Sequence, residues 1–292
     1  MNQKSFHKVI FKNTRLFGAS QIVTMMARLF SNKIAAIFLG PTGIGIIGLL
    51  GNILGLIYSI TNLGIASSSV REIALEDQES NKLKSGRTLQ IVYKWTFATG
   101  ILGLVAIVVF SKQITQIIFD DYSKQWWIIA LGAYFIFTSV ANIRLAVLQA
   151  KKSINLIVKY NIVNAILSSV ITVVGYYYFG LEAIIPVIIT TALFALLLSL
   201  YFTRHVEVLR KPISIKHVFK EGLPLVKLGL LLSVSAIFGQ LCFYIIRWYL
   251  KTYYSFEVLG VYQVSNTILV GYLGMVFATM SNDFYPRLCN YE

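Results

Sequence analysis

The sequence predicts an all-α integral membrane protein of about eight transmembrane helices, one six-helix lobe followed by the first two helices of a second. Three observations predict it. Of the 292 residues, 57% are hydrophobic and 13% charged, with a mean hydropathy of +0.70; a soluble domain has no use for that much apolar surface. The apolar residues fall in runs of about 20–27, each able to cross ~30 Å of hydrocarbon at ~1.5 Å per residue. Between the runs, Lys and Arg gather in alternate loops.

The runs cover residues 14–39, 44–70, 89–110, 125–150, 156–179, 182–203, 223–250 and 259–281. The first follows a basic start, as a signal peptide would. Arg28 and Lys33 interrupt it, however, and no small-residue cleavage site follows, so it reads as a span. The second is joined to it by a tight turn at Leu39-Gly40-Pro41. The loops orient the rest. The N-terminus and the loops after spans two, four and six hold 14 Lys and Arg, against 3 in the alternate loops (Lys112, Lys124 and Lys251). The richer set faces the cytoplasm, and with it the N-terminus.

Spans one and two have a weak counterpart in spans seven and eight, about 215 residues on. Matching Gly45 to Gly260 sets Asn32 and Lys33 opposite Arg247 and Trp248. The expected organisation is an N-terminal lobe over 1–204, a cytoplasmic linker over 205–222, and over 223–292 the first helix pair of a C-terminal lobe that stops mid-repeat, as a truncated chain would.

A formal net charge of +14 and a pI of about 9.7 would suggest nucleic acid in a soluble protein. Here topology accounts for the charge, and no nucleic-acid partner is expected. His7, His205 and His217 form no ligand pattern, and Cys242 and Cys289 form neither a disulfide framework nor a thiolate metal site. No nucleophile–base set and no nucleotide loop occurs, so neither an enzyme nor a cofactor is expected.

The chemistry lies in the spans. Arg28, Lys33, Arg144 and Arg247 fall within apolar runs, whereas the 12 acidic residues lie in loops or at span ends. Each cation at mid-span costs ~3 kcal/mol on the insertion scale, so such residues usually mark a path or a site. Lys33 and Arg247 lie near outer span ends and can reach the interface; Arg28, about fourteen residues in, cannot. Polar stripes accompany them: Gln21, Thr24, Ser31 and Asn32 with Arg28; Asn52, Ser59 and Asn62 in span two; Ser233, Gln240 and Tyr244 with Arg247. Their spacing puts each set on one helical face. Two uses stay open for the neutral residues, lining a hydrated cavity or hydrogen-bonding between helices. Gly51 and Gly55 have GxxxG spacing and are expected to pack helices closely. Trp126, Trp127, Trp248 and Tyr176 to Tyr178 read as interfacial belts.

The run from Ser31-Asn32-Lys33 through Leu39-Gly40-Pro41-Thr42-Gly43 resembles the first hairpin of the polysaccharide-export flippases. Asn62-Leu63-Gly64, Val70-Arg71-Glu72, Gly222-Leu223-Pro224 and Tyr285-Pro286-Arg287 are similar to that family as well. Among its members the chain looks most like the Wzx-type O-antigen translocases. The resemblance implies the multidrug/oligosaccharidyl-lipid/polysaccharide exporter fold, two six-helix lobes around a central cavity in the bacterial inner membrane. It implies flipping of an undecaprenyl-pyrophosphate-linked oligosaccharide, such as an O-antigen unit of lipopolysaccharide, to the periplasmic leaflet. The implied partners are that substrate, membrane lipid and polysaccharide polymerase or export machinery. The implied cationic cavity residues are Arg28 and Arg247. A multidrug or cation antiporter of the same superfamily and a non-transporting partner in an export complex are the alternatives.

The charge bias can be tested directly. With Cys242 and Cys289 removed, single cysteines at positions 84, 120 and 216 should react with an impermeant thiol reagent on intact cells only at 120. Labelling at 216 would reverse the topology.

Overall fold

The computed structural model describes residues 3–78, 82–151, 153–204 and 215–274. Among them the chain is helical apart from short connections, and no strand occurs. Ten helices follow in order: α1 (Gln3–Thr61), α2 (Ile65–Gln78), α3 (Lys82–Val109), α4 (Ser111–Phe119), α5 (Gln125–Ala130), α6 (Gly132–Ala150), α7 (Ile154–Phe179), α8 (Ile184–Phe202), α9 (Ile215–Tyr253) and α10 (Phe256–Asn266). A π-helical segment, Thr267–Leu273, extends α10. Among the described residues five apolar stretches are long enough to cross a membrane: 18–61, 86–109, 122–150, 154–202 and 233–253. The first and fourth, of 44 and 49 residues, each hold two of the predicted spans.

The long stretches divide where glycine permits it. Straight, the 59 residues of α1 would extend about 88 Å, far beyond the ~30 Å hydrocarbon. The helix breaks at Gly40, with φ 63° and ψ −174°. Glycine adopts this conformation without a Cβ clash, and Pro41 behind it has no N–H to give back to the preceding turn. Gly180, with φ 54°, similarly opens the 3-10 turn Gly180–Ala183 between α7 and α8.

Span two differs from its sequence reading. Drawn as continuous over 44–70, it is interrupted at Leu63 and Gly64, both with positive φ (51° and 61°). The chain resumes as α2, with Ile65 N–H bonded to the Asn62 carbonyl at 3.2 Å. Residues 205–214 of the predicted linker lie outside the described residues, whereas 215–222 are already helical and continuous with α9. The end of the eighth predicted span, beyond 274, also lies outside them.

The largest core gathers residues of α1, on both sides of Gly40, with others from α3 to α8 and from α10. Leu49, Leu50, Ile107, Ile128, Leu131 and Phe135 are fully buried there. A second cluster joins α2, α3, α6 and α9 through Ile65, Val92, Ile143, Ala146 and Val226. Large apolar side chains such as Ile22, Met26, Leu231 and Phe238 are exposed, as a lipid-facing surface requires.

The pair α9–α10 docks on the rest by backbone proximity at both ends. At one end, a Cβ on Gly45 would press on the Phe256 carbonyl, and one on Gly260 would overlap the Pro41 carbonyl. The 215-residue offset relates Gly45 to Gly260 and Pro41 to Phe256, so these contacts exchange under the repeat. Gly48 lies against Gln263, which is its own counterpart. The repeat is therefore a local two-fold arrangement, with these glycines beside its axis. At the other end, Gly229 packs on the backbone of Leu63 and Gly64. There Trp95 Nε1 donates to the Val218 carbonyl at 3.0 Å and Arg87 pairs with Glu221 at 2.7 Å. The opposite face carries a matching ion pair, Lys251 Nζ to Asp120 Oδ1 at 2.8 Å. Both ion pairs are partly solvent-exposed and contribute ~0–1 kcal/mol each. Asp121 beside the second caps the turn Tyr122–Lys124, accepting from Ser123 N–H at 3.1 Å and from its hydroxyl. Those hydrogen bonds hold its carboxyl below the usual carboxylate range.

The GxxxG reading is corrected in part. Gly55 packs against the Gln240 side chain, but Gly51 faces open space, and the backbone-close glycines are Gly45, Gly64, Gly229 and Gly260. This contrast gives a test. Gly→Ala in an open helix stabilises by ~0.5–1 kcal/mol, and Gly51→Ala should follow that rule. Gly229→Ala should instead destabilise the solubilised protein by ~1–3 kcal/mol, because α9 must move off α2. Equal thermal shifts for the two variants would contradict the packing.

Candidate substrate-binding site

A span-deep polar group needs a partner, because hydrocarbon offers none.

Gln21, Thr24, Arg28, Ser31 and Asn32 share one side of α1 before the break. Thr24 Oγ1 returns its hydrogen bond to the Ser20 carbonyl at 2.8 Å. Ser31 Oγ donates to Ser169 Oγ of α7 at 2.8 Å, and Ser169 Oγ to the Ala27 carbonyl at 3.1 Å. The stripe thus serves helix packing at its Ser31 edge. Gln21 is half-buried and Asn32 exposed. Arg28 is exposed and makes no hydrogen bond or ion pair among the described residues. Lys33 is also exposed, but five residues on, it lies about 140° around the helix from Arg28.

Arg144 sits at a junction of α3, α6 and the end of α8. Its Nη1 donates to Thr203 Oγ1 at 2.8 Å, and its guanidinium lies 5.6 Å from the Tyr93 ring centre. Its Nε is buried without a partner. Two residues earlier, about 200° around α6, Asn142 Nδ2 donates to the Tyr58 hydroxyl at 2.7 Å.

Arg247 on α9 is 5% exposed. Its Nε and Nη2 converge on Gln263 Oε1 of α10 at 3.2 and 2.8 Å, and Nη1 donates to the Phe243 carbonyl at 3.2 Å. The guanidinium lies between the rings of Phe243 and Tyr262, 5.4 and 5.7 Å from their centres. Among the described residues no carboxylate pairs with it, so an amide oxygen and two ring faces carry its charge.

The two-fold seam holds the remaining residues. Asn52 Nδ2 donates to Gln240 Oε1 at 2.9 Å, while Asn52 Oδ1 is buried without a partner. Tyr244 is half-buried against the main core, and Asn62 stands half-buried at the break before α2. The structure thus joins Asn52 to Gln240 and leaves Arg28, Arg144 and Arg247 in three separate settings. Gln263 and Tyr262, which enclose Arg247, are absent from the sequence expectation. The repeat held a signal for Gln263, because the 215-residue offset sets it opposite Gly48, where a long side chain has room. Among the described residues no group of three His, Cys, Asp or Glu side chains is placed to hold a metal ion.

The Asn52–Gln240 bond has a measurable consequence. A double-mutant cycle with Asn52→Leu and Gln240→Leu should give a coupling of ~0.6 kcal/mol, and at most ~1.7 kcal/mol, in reversible unfolding from mixed micelles. Strictly additive single effects would show that the bond contributes nothing.

Comparison with known proteins agrees with this architecture. A family model described as polysaccharide biosynthesis protein matches residues 10–292. No curated protein gives a significant match. Two solved structures share the fold. One, described as "protein A", superposes with a TM-score of 0.65 at 15% identity, over 90% of this chain and 60% of its own. The other is an inward-facing multidrug-resistance MATE transporter of the MOP superfamily, with a TM-score of 0.59 at 16% identity, over 87% of this chain and 62% of its own. The chain thus spans about three fifths of the length of these structures. A helical multi-pass membrane chain with the fold of a MOP-superfamily transporter, it belongs to the polysaccharide biosynthesis protein family.

Proposed function

We propose that the chain acts in a flippase that moves an undecaprenyl-pyrophosphate-linked oligosaccharide, of the O-antigen type, from the cytoplasmic to the periplasmic leaflet of the bacterial inner membrane. The observation that carries this reading is Arg28, a span-deep guanidinium that is exposed and unpaired among the described residues. Low dielectric strengthens its attraction for a pyrophosphate, and the planar fork of arginine matches phosphate oxygens. Gln21, Thr24 and Asn32 extend the same face toward the attached sugar. Arg247 is held by Gln263 as folded here, and reaches an anion only if that amide moves aside. Arg144 is held by Thr203 and Tyr93, and Lys33 serves the outer end of the path.

The likeness to a multidrug transporter is one of fold, and the charges differ from what a cationic drug needs. Such a pump requires an acidic group in the membrane for its cargo or coupling ion. The acidic residues of this chain lie in loops or at span ends. A rocking motion between repeats around a central site serves either cargo, so the sign of the buried charge decides between them.

Arg28→Ala at the chromosomal locus should abolish surface polysaccharide while leaving the protein in the membrane at wild-type level, because removing the charge favours insertion by ~3 kcal/mol. Arg28→Lys should retain partial export, keeping the charge and losing the fork. Normal export by Arg28→Ala at wild-type protein level would remove the basis of this reading.

A further inference from the structure

On the face that the charge bias places outside the membrane, a groove of about 700 Å³ is lined by Lys112, Gln113, Gln116, Tyr122 and Gln125. Neither the predicted site residues nor the proposed path includes it. We propose that this groove binds the oligosaccharide itself, as a sugar-recognising subsite that receives the head group on the outer side. The proposal rests on the flippase reading and adds a second binding site to it.

The groove is built rather than incidental. Helix α4 buries Ser111, Ile114, Thr115 and Ile118 against the bundle, which turns Lys112, Gln113 and Gln116 outward. The left-handed Asp120 ends the helix, and Asp121 caps the turn that carries Tyr122. Gln125 Nε2 donates to Ser111 Oγ at 3.1 Å, which fixes its amide at the base of α4. Lys251 of α9 holds Asp120 at 2.8 Å, so the groove rim is tied to the second helix pair.

The lining chemistry suits a carbohydrate. Each glutamine amide offers a donor pair and an acceptor side by side, the complement of neighbouring sugar hydroxyls. Tyr122, 59% exposed, presents an apolar ring face on which a pyranose can lie, with a hydroxyl at its tip. Lys112 adds a cation suited to an acidic sugar. The volume lies within the range of small-ligand sites, and a few convergent polar groups on a firm scaffold are what such sites use. Trp126 and Trp127, both exposed, follow immediately and mark the interfacial level. A head group arriving in the outer leaflet would emerge at that height.

The test uses the complete protein in nanodiscs and two probes from its own cells. One is surface polysaccharide released by mild acid and trimmed to short oligosaccharides; the other is undecaprenyl pyrophosphate without sugar. Calorimetric titration should show saturable binding of the free oligosaccharide. Gln113→Ala with Gln116→Ala, and separately Tyr122→Ala, should weaken it at least tenfold without lowering thermal stability, since these side chains point outward. Both variants should bind undecaprenyl pyrophosphate as wild type does, and Arg28→Ala should show the reverse pattern. Wild-type affinity for the free oligosaccharide in these variants, or no saturable binding by the wild type, overturns the groove assignment. Displacement of the oligosaccharide by phosphatidylglycerol vesicles at equal phosphate would also overturn it, in favour of a lipid-head-group site. Each of these outcomes leaves the pyrophosphate reading of Arg28 to its own export assay.

Discussion

Hydrocarbon cannot hydrate a polar group, and the rest of this structure follows from that constraint. Backbone groups are satisfied by helices, and the long apolar stretches break at Gly40-Pro41, Leu63-Gly64 and Gly180, each with a glycine in the left-handed region. Hydroxyls return to the preceding turn, as Thr24 does to Ser20 and Thr191 to Val187. Amides pair across helices, Asn52 with Gln240 and Asn142 with Tyr58. The charged groups show the same pressure more strongly. Arg247 is wrapped by Gln263 and two aromatic rings, and Arg144 by Thr203 and Tyr93. Arg28 has no such wrapping among the described residues, and for that reason it is the residue to which a ligand anion is assigned.

The same constraint shapes how α9 and α10 meet the rest of the bundle. A polar interface in lipid must be small and well matched, and small residues let backbones approach closely. Gly45 and Gly260 make exchange-related contacts with Phe256 and Pro41, and Gly229 with Gly64 closes the other end. Between these ends lie Asn52 with Gln240 and Gly48 with Gln263. Because Gln263 packs on Gly48 and also holds Arg247, a shift of α10 against α9 at this seam would release a guanidinium near the outer end of the span. The exposed ion pairs Arg87–Glu221 and Lys251–Asp120 lie at opposite ends of the seam and are weak enough to exchange with water when either end opens.

The sequence made much of the fold legible, and the site less so. Long apolar runs and the Gly40-Pro41 pair gave the spans and the first break, since both express local physics. The break at Leu63 and Gly64 was missed although Asn62 and Gly64 are turn-forming residues, because the apolar pattern continues through them. Of the glycine pair at 51 and 55, only Gly55 meets a neighbour; spacing fixes a face, but the partner comes from tertiary structure. The buried cations were visible as residues, and their partners were not. Gln263 lies sixteen positions from Arg247 and Thr203 lies 59 from Arg144, and local pattern does not link such pairs. The groove beside α4 has no local signature of its own, since Gln113 and Gln116 come to one face only once 111–119 folds as a helix against the bundle.

The central claim is that positive charge within the membrane selects a pyrophosphate carrier. Native mass spectrometry of the purified protein, offered equal amounts of undecaprenyl pyrophosphate, undecaprenyl phosphate and undecaprenol, tests it most directly. The account predicts retention in that order, with the preference collapsing in Arg28→Ala. Equal retention of all three lipids by the wild type would contradict it.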